Sequence, residues 1–178
     1  GKIVIEAQRD TVYPMTKDGT YVMNRNRWGY IRTDGSYLIP PVYKSLERSA
    51  AAGLFIAENE KNIWGALSLA TGQPLIPFTY EGLQCVGAIF AYKEGKKWGV
   101  LQIDGTELCR PVFDEVMGRL QDDRLLVRMG KTLAYVNSRG MIVVTLASNI
   151  NKAGDFSGGY APIQCNRKWG VIDVNGNS

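Results

Sequence analysis

The pair Trp-Gly stands at Trp28-Gly29, Trp64-Gly65, Trp98-Gly99 and Trp169-Gly170, and Leu133-Ala134 falls where a further copy is due. The steps between these positions are 36, 34, 35 and 36 residues. A spacing this regular means one supersecondary unit used repeatedly, each copy burying its apolar face against its neighbours. It constrains architecture closely and chemistry hardly at all. In the first copy, Trp28-Gly29-Tyr30-Ile31-Arg32-Thr33 reads as a strand and Asp34-Gly35 as a turn. Ser36-Tyr37-Leu38-Ile39 then reads as a second strand, running into Pro40-Pro41. Asp-Gly between two such runs predicts a type I′ hairpin. Proline cannot donate to a ladder, so the second strand ends there or lies at a sheet edge.

Set on the turn glycine, the period is Gly35, Gly72, Gly105, Gly140 and Gly176, with steps of 37, 33, 35 and 36. No linker or change of composition interrupts the five copies, so residues 1–178 are expected to form a single repeat domain. The second copy has one extra residue between Trp64 and Gly72, which calls for a bulge or a longer loop. The fourth keeps Leu125-Leu126-Val127 and Tyr135-Val136 but lacks Trp and Pro, and is expected to be the weakest. Ahead of the first copy, Lys2–Ala7 and Tyr21–Met23 read as strands and Lys17-Asp18-Gly19-Thr20 as a turn. Ser49–Ala52 has helical propensity but is too short to stand as a helix.

Side chains of a strand alternate faces, which sets Trp28 and Tyr30 against Gly29 and Ile31. The third position after Trp is aliphatic throughout, as Ile31, Leu67, Leu101, Val136 and Ile172, and that face is the expected core. Glycine inside a strand costs about 1 kcal/mol, so the one beside each Trp must leave room for a backbone or ring lying against it. The Trp rings are expected to be buried between repeats, packed with Tyr43, Tyr80 and Phe113, which follow their Trp by 15 or 16 residues. The fold class is therefore all-β: tandem β-hairpin repeats of about 35 residues in an open, twisted, solenoid-like array. The alternative is a closed five-bladed propeller-like ring. The array is preferred because about 35 residues is short for a four-stranded blade. The ring draws on an N-terminal half-repeat that could complete the C-terminal one.

These residues together, Trp-Gly, an aliphatic, Asp-Gly, then Ile-Pro-Pro and an aromatic, resemble the bacterial WG-repeat family, also called KWG repeats. Lys97-Trp98-Gly99 and Lys168-Trp169-Gly170 carry the KWG core, and Arg27-Trp28-Gly29 is close to it. Ile63-Trp64 and Leu133-Ala134 depart from it. The resemblance implies a β-rich repeat architecture, frequent in surface or envelope proteins, with no agreed catalytic activity and no functional residues to carry over.

The chemistry-bearing residues support no catalytic, cofactor-binding or metal site. There is no His, which removes Ser-His-Asp and Cys-His catalysis. Cys85, Cys109 and Cys165 share no ligand spacing and are expected to be free, mostly buried thiols. Gly130-Lys131 lacks the upstream glycine of a phosphate loop and aligns with Gly95-Lys96 as a hairpin turn. Asp34, Asp104, Asp173 and Asp122-Asp123 lack the alternating acids of a calcium loop. The net charge of +4 leaves polyanions in view, because Arg25 and Arg27, Lys96 and Lys97, and Arg167 and Lys168 precede Trp in three copies. The favoured reading of those residues is a solvated turn that guards sheet edges, diluted by Glu58, Glu60 and Glu94.

No apolar run approaches the roughly 18 residues of a membrane span. The first residue is Gly, so the native N-terminus is expected upstream and the compartment is open, with export somewhat favoured over the cytoplasm. The expectation is a non-catalytic module that binds or scaffolds another protein. The alternative is a glycan- or acidic-polymer-binding module, with Tyr37, Tyr92 and Tyr160 as the freer aromatics and nucleic acid disfavoured. Sites are sought where the copies differ: around Leu133, from Arg48 to Gly53, and from Ser148 to Gly159.

Overall fold

The computed structural model describes residues 10–49 and 52–178. The strand expected at Lys2–Ala7 lies outside them, as does the middle of Ser49–Ala52. All regular elements among the described residues are strands. Two compact units divide the chain, one ending at Tyr80 and the other running from Glu81 to Ser178.

The first unit holds two antiparallel meanders. One is β1 (Thr11–Val12), β2 (Thr20–Asn24), β3 (Arg27–Ile31) and β4 (Tyr37–Tyr43). The other is β5 (Ser45–Ser49), β6 (Leu54–Glu58), β7 (Trp64–Ser68) and β8 (Pro74–Tyr80). In the second unit, β9 (Gly82–Cys85), β10 (Ile89–Glu94), β11 (Lys97–Gln102) and β12 (Glu107–Phe113) repeat the pattern. So do β13 (Glu115–Val116), β14 (Leu125–Met129), β15 (Thr132–Val136) and β16 (Ile142–Thr145). A three-stranded sheet of β17 (Ile150–Ala153), β18 (Tyr160–Cys165) and β19 (Lys168–Asp173) follows. The protein is thus all-β, built from tandem repeats of about 35 residues, and each full repeat accommodates four strands. Repeat length is therefore no objection to a blade-like sheet.

The turn glycines of the first four copies sit between third and fourth strands and Gly176 follows the last strand, but the turns are not type I′. Gly35 is left-handed (φ 86°) while Asp34 is not. The Gly35 N–H donates to Arg32 O (3.0 Å) and the Arg32 N–H to Ser36 O (2.8 Å). That is a three-residue loop, a type I turn closed by a left-handed glycine. Gly105, Gly140 and Gly176 repeat it, and the loop at Gly72 is one residue longer, as its spacing required.

The Asp34 carboxylate is held below the usual range by hydrogen bonds from the Ser36 hydroxyl and N–H, and Asp104 by those from Thr106. With folded values below the unfolded ones, the stability they add is whole above about pH 4 and drains as pH falls through the folded values. Replacing both by Asn is expected to flatten the acid limb of a plot of melting temperature against pH.

Trp-Gly and the prolines form one device. Trp28 lies opposite Tyr43 and Tyr30 opposite Ile39, so Pro40-Pro41-Val42 bulges across from Gly29 alone. Pro77-Phe78-Thr79 does the same at Gly65, and Arg110-Pro111-Val112 at Gly99. A Cβ on Gly29 would fall 2.7 Å from Ile39 O and from the Pro41 nitrogen. The fourth copy has Ala134 for Gly and no Pro, and there Ala134 pairs with Thr145 without a bulge. The second strand of the hairpin thus runs through its prolines as an edge strand rather than stopping at them.

The core corrects two expectations. Both faces of the third strand are buried: Tyr30 with Ile31, Ala66 with Leu67, Val100 with Leu101. In these copies the strand packs on two sides, whereas in the fifth Val171 is 57% exposed. The Trp residues are not core. Trp28, Trp64 and Trp98 are half-buried, and Trp169 is 62% exposed. Each begins its strand beside a turn, and Tyr43, Tyr80 and Phe113 do lie directly opposite the first three. The fourth copy, expected to be weak, has Leu133, Ala134, Tyr135 and Val136 buried across two hydrophobic clusters.

Candidate functional site

Of the basic residues before Trp, Arg25, Lys96 and Arg167 lie on the turn joining second and third strands, and Arg27, Lys97 and Lys168 begin the third strand. Arg25 and Asn26 are both left-handed (φ 48° and 61°), as are Asn166 and Arg167 (49° and 66°), making these the two-residue turns expected at Asp-Gly. Gly95-Lys96 and Gly130-Lys131 connect Glu94 to Lys97 and Met129 to Thr132, the hairpin turns read from their alignment.

The charges at this end are mixed. Lys97 Nζ lies 2.5 Å from Asp114 Oδ1, and the other oxygen of Asp114 accepts the Gly130 N–H at 2.5 Å. These two bonds, the backbone one first, hold the Asp114 carboxyl below its ordinary range. Arg128 pairs with Glu115 (3.2 Å), and Lys44 donates to Asn62 Oδ1.

In the first unit, two hollows adjoin at this end. One, about 460 Å³, is lined by Val42, Tyr43, Asn59, Glu60, Lys61 and Phe78. The other, about 400 Å³, is lined by Asn24, Arg25, Arg27, Pro41, Val42 and Glu60. They share Val42 and Glu60 and make one groove with an apolar floor. Val42 is 51% exposed, and the rings of Tyr43 and Phe78 stack at 5.6 Å and 21°. The bulge explains the floor: it lifts Val42 off Gly29 and turns it outward. Strand alternation alone does not reveal this, and only the prolines signal it.

A smaller cleft of about 210 Å³ is lined by Tyr13, Tyr21, Trp28 and Leu46, with the Tyr13 and Trp28 rings 5.6 Å apart and tilted by 32°. The Tyr21 hydroxyl accepts the Arg48 N–H (2.8 Å), and burial raises its pKa.

Of the segments singled out from the sequence, Arg48 and Gly53 line a hollow of about 420 Å³ with Asp18, Tyr30, Leu38, Leu69 and Ala70, while the other two contribute packing and hydrogen bonds. Leu133 is buried. In 148–159, Asp155 accepts the Arg119 N–H, Phe156 is buried, and the Gly159 N–H donates to Asp122 (2.8 Å). Arg48 pairs with Asp18 (3.0 Å). Tyr37 and Tyr160 are exposed, but Tyr92 is buried and its ring fills the space over Gly99. The three cysteines are free and half-buried rather than buried, and burial first, then Glu107, raises the Cys109 thiol. No group of three His, Cys, Asp or Glu occurs among the described residues. No helix among them is long and apolar enough to cross a membrane.

Small antiparallel sheets in tandem, four of the five with a Trp-Gly third strand, define a β-sheet repeat protein. Residues 28–62 and 135–169 match the family model described as the WG containing repeat. The chain thus carries two matches to this repeat, and the sheets at Trp64 and Trp98, outside those matches, carry the same bulge. No curated protein matches the chain. Among solved structures, a eukaryotic initiation factor is similar in fold (TM-score 0.60, 10% identity), covering 98% of this chain and 55% of its own. KlHsv2 with its loop 6CD replaced by a Gly-Ser linker follows (0.56, 8%, 93% and 63%). The computationally designed Ika8 protein is also similar (0.51, 14%, 97% and 61%). The chain thus spans less than two thirds of each of these.

Proposed function

We propose that the chain is a non-catalytic module that binds an extended segment of another protein in the groove around Val42. The observation that carries this reading is the pairing of an apolar floor, Val42 with the stacked Tyr43 and Phe78, with rims of both signs, Arg25, Arg27 and Lys61 against Glu60. A polyanion would meet Glu60 there, whereas a peptide offers apolar and charged groups together. Panning a random peptide display library on the immobilised chain is expected to enrich a motif of apolar residues flanked by charge. Val42→Asp, an exposed position, is expected to cut binding of the enriched peptide at least about tenfold, on the order of 1.4 kcal/mol. Enrichment that Val42→Asp leaves intact would place binding elsewhere.

The Tyr13–Trp28 cleft supports the second reading, a glycan whose ring stacks on an aromatic face. Binding on a glycan array that Tyr13→Ala removes would favour it over the groove.

A further inference from the structure

The fourth strands of the repeats are sheet edges, and the chain guards all but one of them. Tyr30 lies opposite Ile39, Ala66 opposite Ile76, Val100 opposite Cys109 and Tyr135 opposite Val144. The next residue along each edge is therefore Pro40, Pro77, Arg110 and Thr145. In the fourth copy this position faces outward. The Leu146 N–H donates to Leu133 O (2.9 Å), so alternation turns the N–H of Thr145 away from β15. Proline removes that donor and arginine opposes a second strand with charge, the two usual devices against edge pairing. Thr145 does neither. Before it, Met141, Ile142 and Val143 are 51%, 45% and 39% exposed, with no charge and no proline from Met141 to Thr145.

We propose that β16 is the edge through which two copies of this chain pair, antiparallel and about a two-fold axis. Antiparallel pairing of a strand with its own copy is self-complementary, so Ile142, Val143 and Thr145 meet their counterparts without charge repulsion. A two-fold contact through one surface also closes on itself. The guards at Pro40, Pro77 and Arg110 keep the equivalent edges from extending that contact into a fibre. The proline and the bulge opposite Ala134 are both lost from β16, whose one register shift lies at Val143. This proposal is independent of the groove around Val42.

A single strand pair buries less than the roughly 1,200 Å² of a standard interface, so the dimer is expected to be weak, micromolar or weaker. Sedimentation equilibrium on the full chain, at concentrations reaching on the order of 1 mM, is expected to show the mass rising toward that of a dimer. Thr145→Pro and Thr145→Arg copy the guards that the other repeats carry at the same position. Each is expected to weaken association at least about tenfold while leaving circular dichroism and melting unchanged. A wild type that stays monomeric throughout overturns the proposal and returns the edge to a foreign strand. A dimer that neither substitution weakens overturns it as well.

Discussion

Gly99→Ala is expected to lower the melting temperature by roughly 6–12 °C, corresponding to a loss of about 3 kcal/mol. A Cβ there would lie 2.5 Å from Cys109 O and 2.5 Å from the Tyr92 ring. The first neighbour is backbone of the bulge, and Tyr92 is buried, so neither can give way cheaply. Gly29→Ala should cost about as much, since its neighbours are backbone atoms of Ile39 and Pro41. Gly65→Ala meets the half-buried Phe78 ring at 2.8 Å as well as Ile76 O at 2.9 Å, and is expected to cost somewhat less. Gly170→Ala is the control. Nothing lies within 4 Å of its Cβ position, and removing a strand glycine there should be neutral or stabilise by up to about 1 kcal/mol. Thermal melts of the four variants test the device, and equal shifts at Gly99 and Gly170 would remove it.

That device shows how far the sequence could be read. The need for space beside each Trp was legible, because a recurrent strand glycine is costly and must be repaid by close approach. The approaching group was not legible, because a register shift depends on two strands at once while alternation is a property of one. The prolines were visible as an edge signal, yet nothing in them said that the strand passes through as a bulge and turns Val42 outward.

Turn type failed for a similar reason. Asp34-Gly35 has the composition of a two-residue turn, but Arg32 pairs with Ser36, and that loop length sets the backbone of Asp34. Conversely, Arg25-Asn26 lacks glycine, yet Asn24 and Arg27 pair across it. The aromatic residues were misread through size. A large apolar ring suggests core, but each Trp starts its strand next to a solvated turn, and burial there is partial.

The fourth copy gives the other large expected effect. Judged by its missing Trp it should be dispensable, yet Tyr135 is fully buried in it. Its hydroxyl donates to Gly154 O at 2.7 Å, and its ring meets Phe156 edge-on at 4.8 Å and 74°. Burial, with a smaller contribution from Asp155, pushes its pKa up to about 12, so the phenol remains a donor across the neutral range. Tyr135→Ala empties a site at the contact between the sheets of the fourth and fifth copies and is expected to cost about 3–5 kcal/mol. Tyr135→Phe keeps the volume but leaves the Gly154 carbonyl without its donor, and should cost about 1–2 kcal/mol. Trp169→Ala removes a Trp from an exposed strand and should cost less than about 1 kcal/mol, although Trp is the residue that marks the repeat. The order Tyr135→Ala, Tyr135→Phe, Trp169→Ala in denaturant midpoints tests whether the load lies between the sheets rather than in the signature residue. A Tyr135→Ala chain that unfolds no earlier than Trp169→Ala would restore the fourth copy to the weak position its sequence suggests.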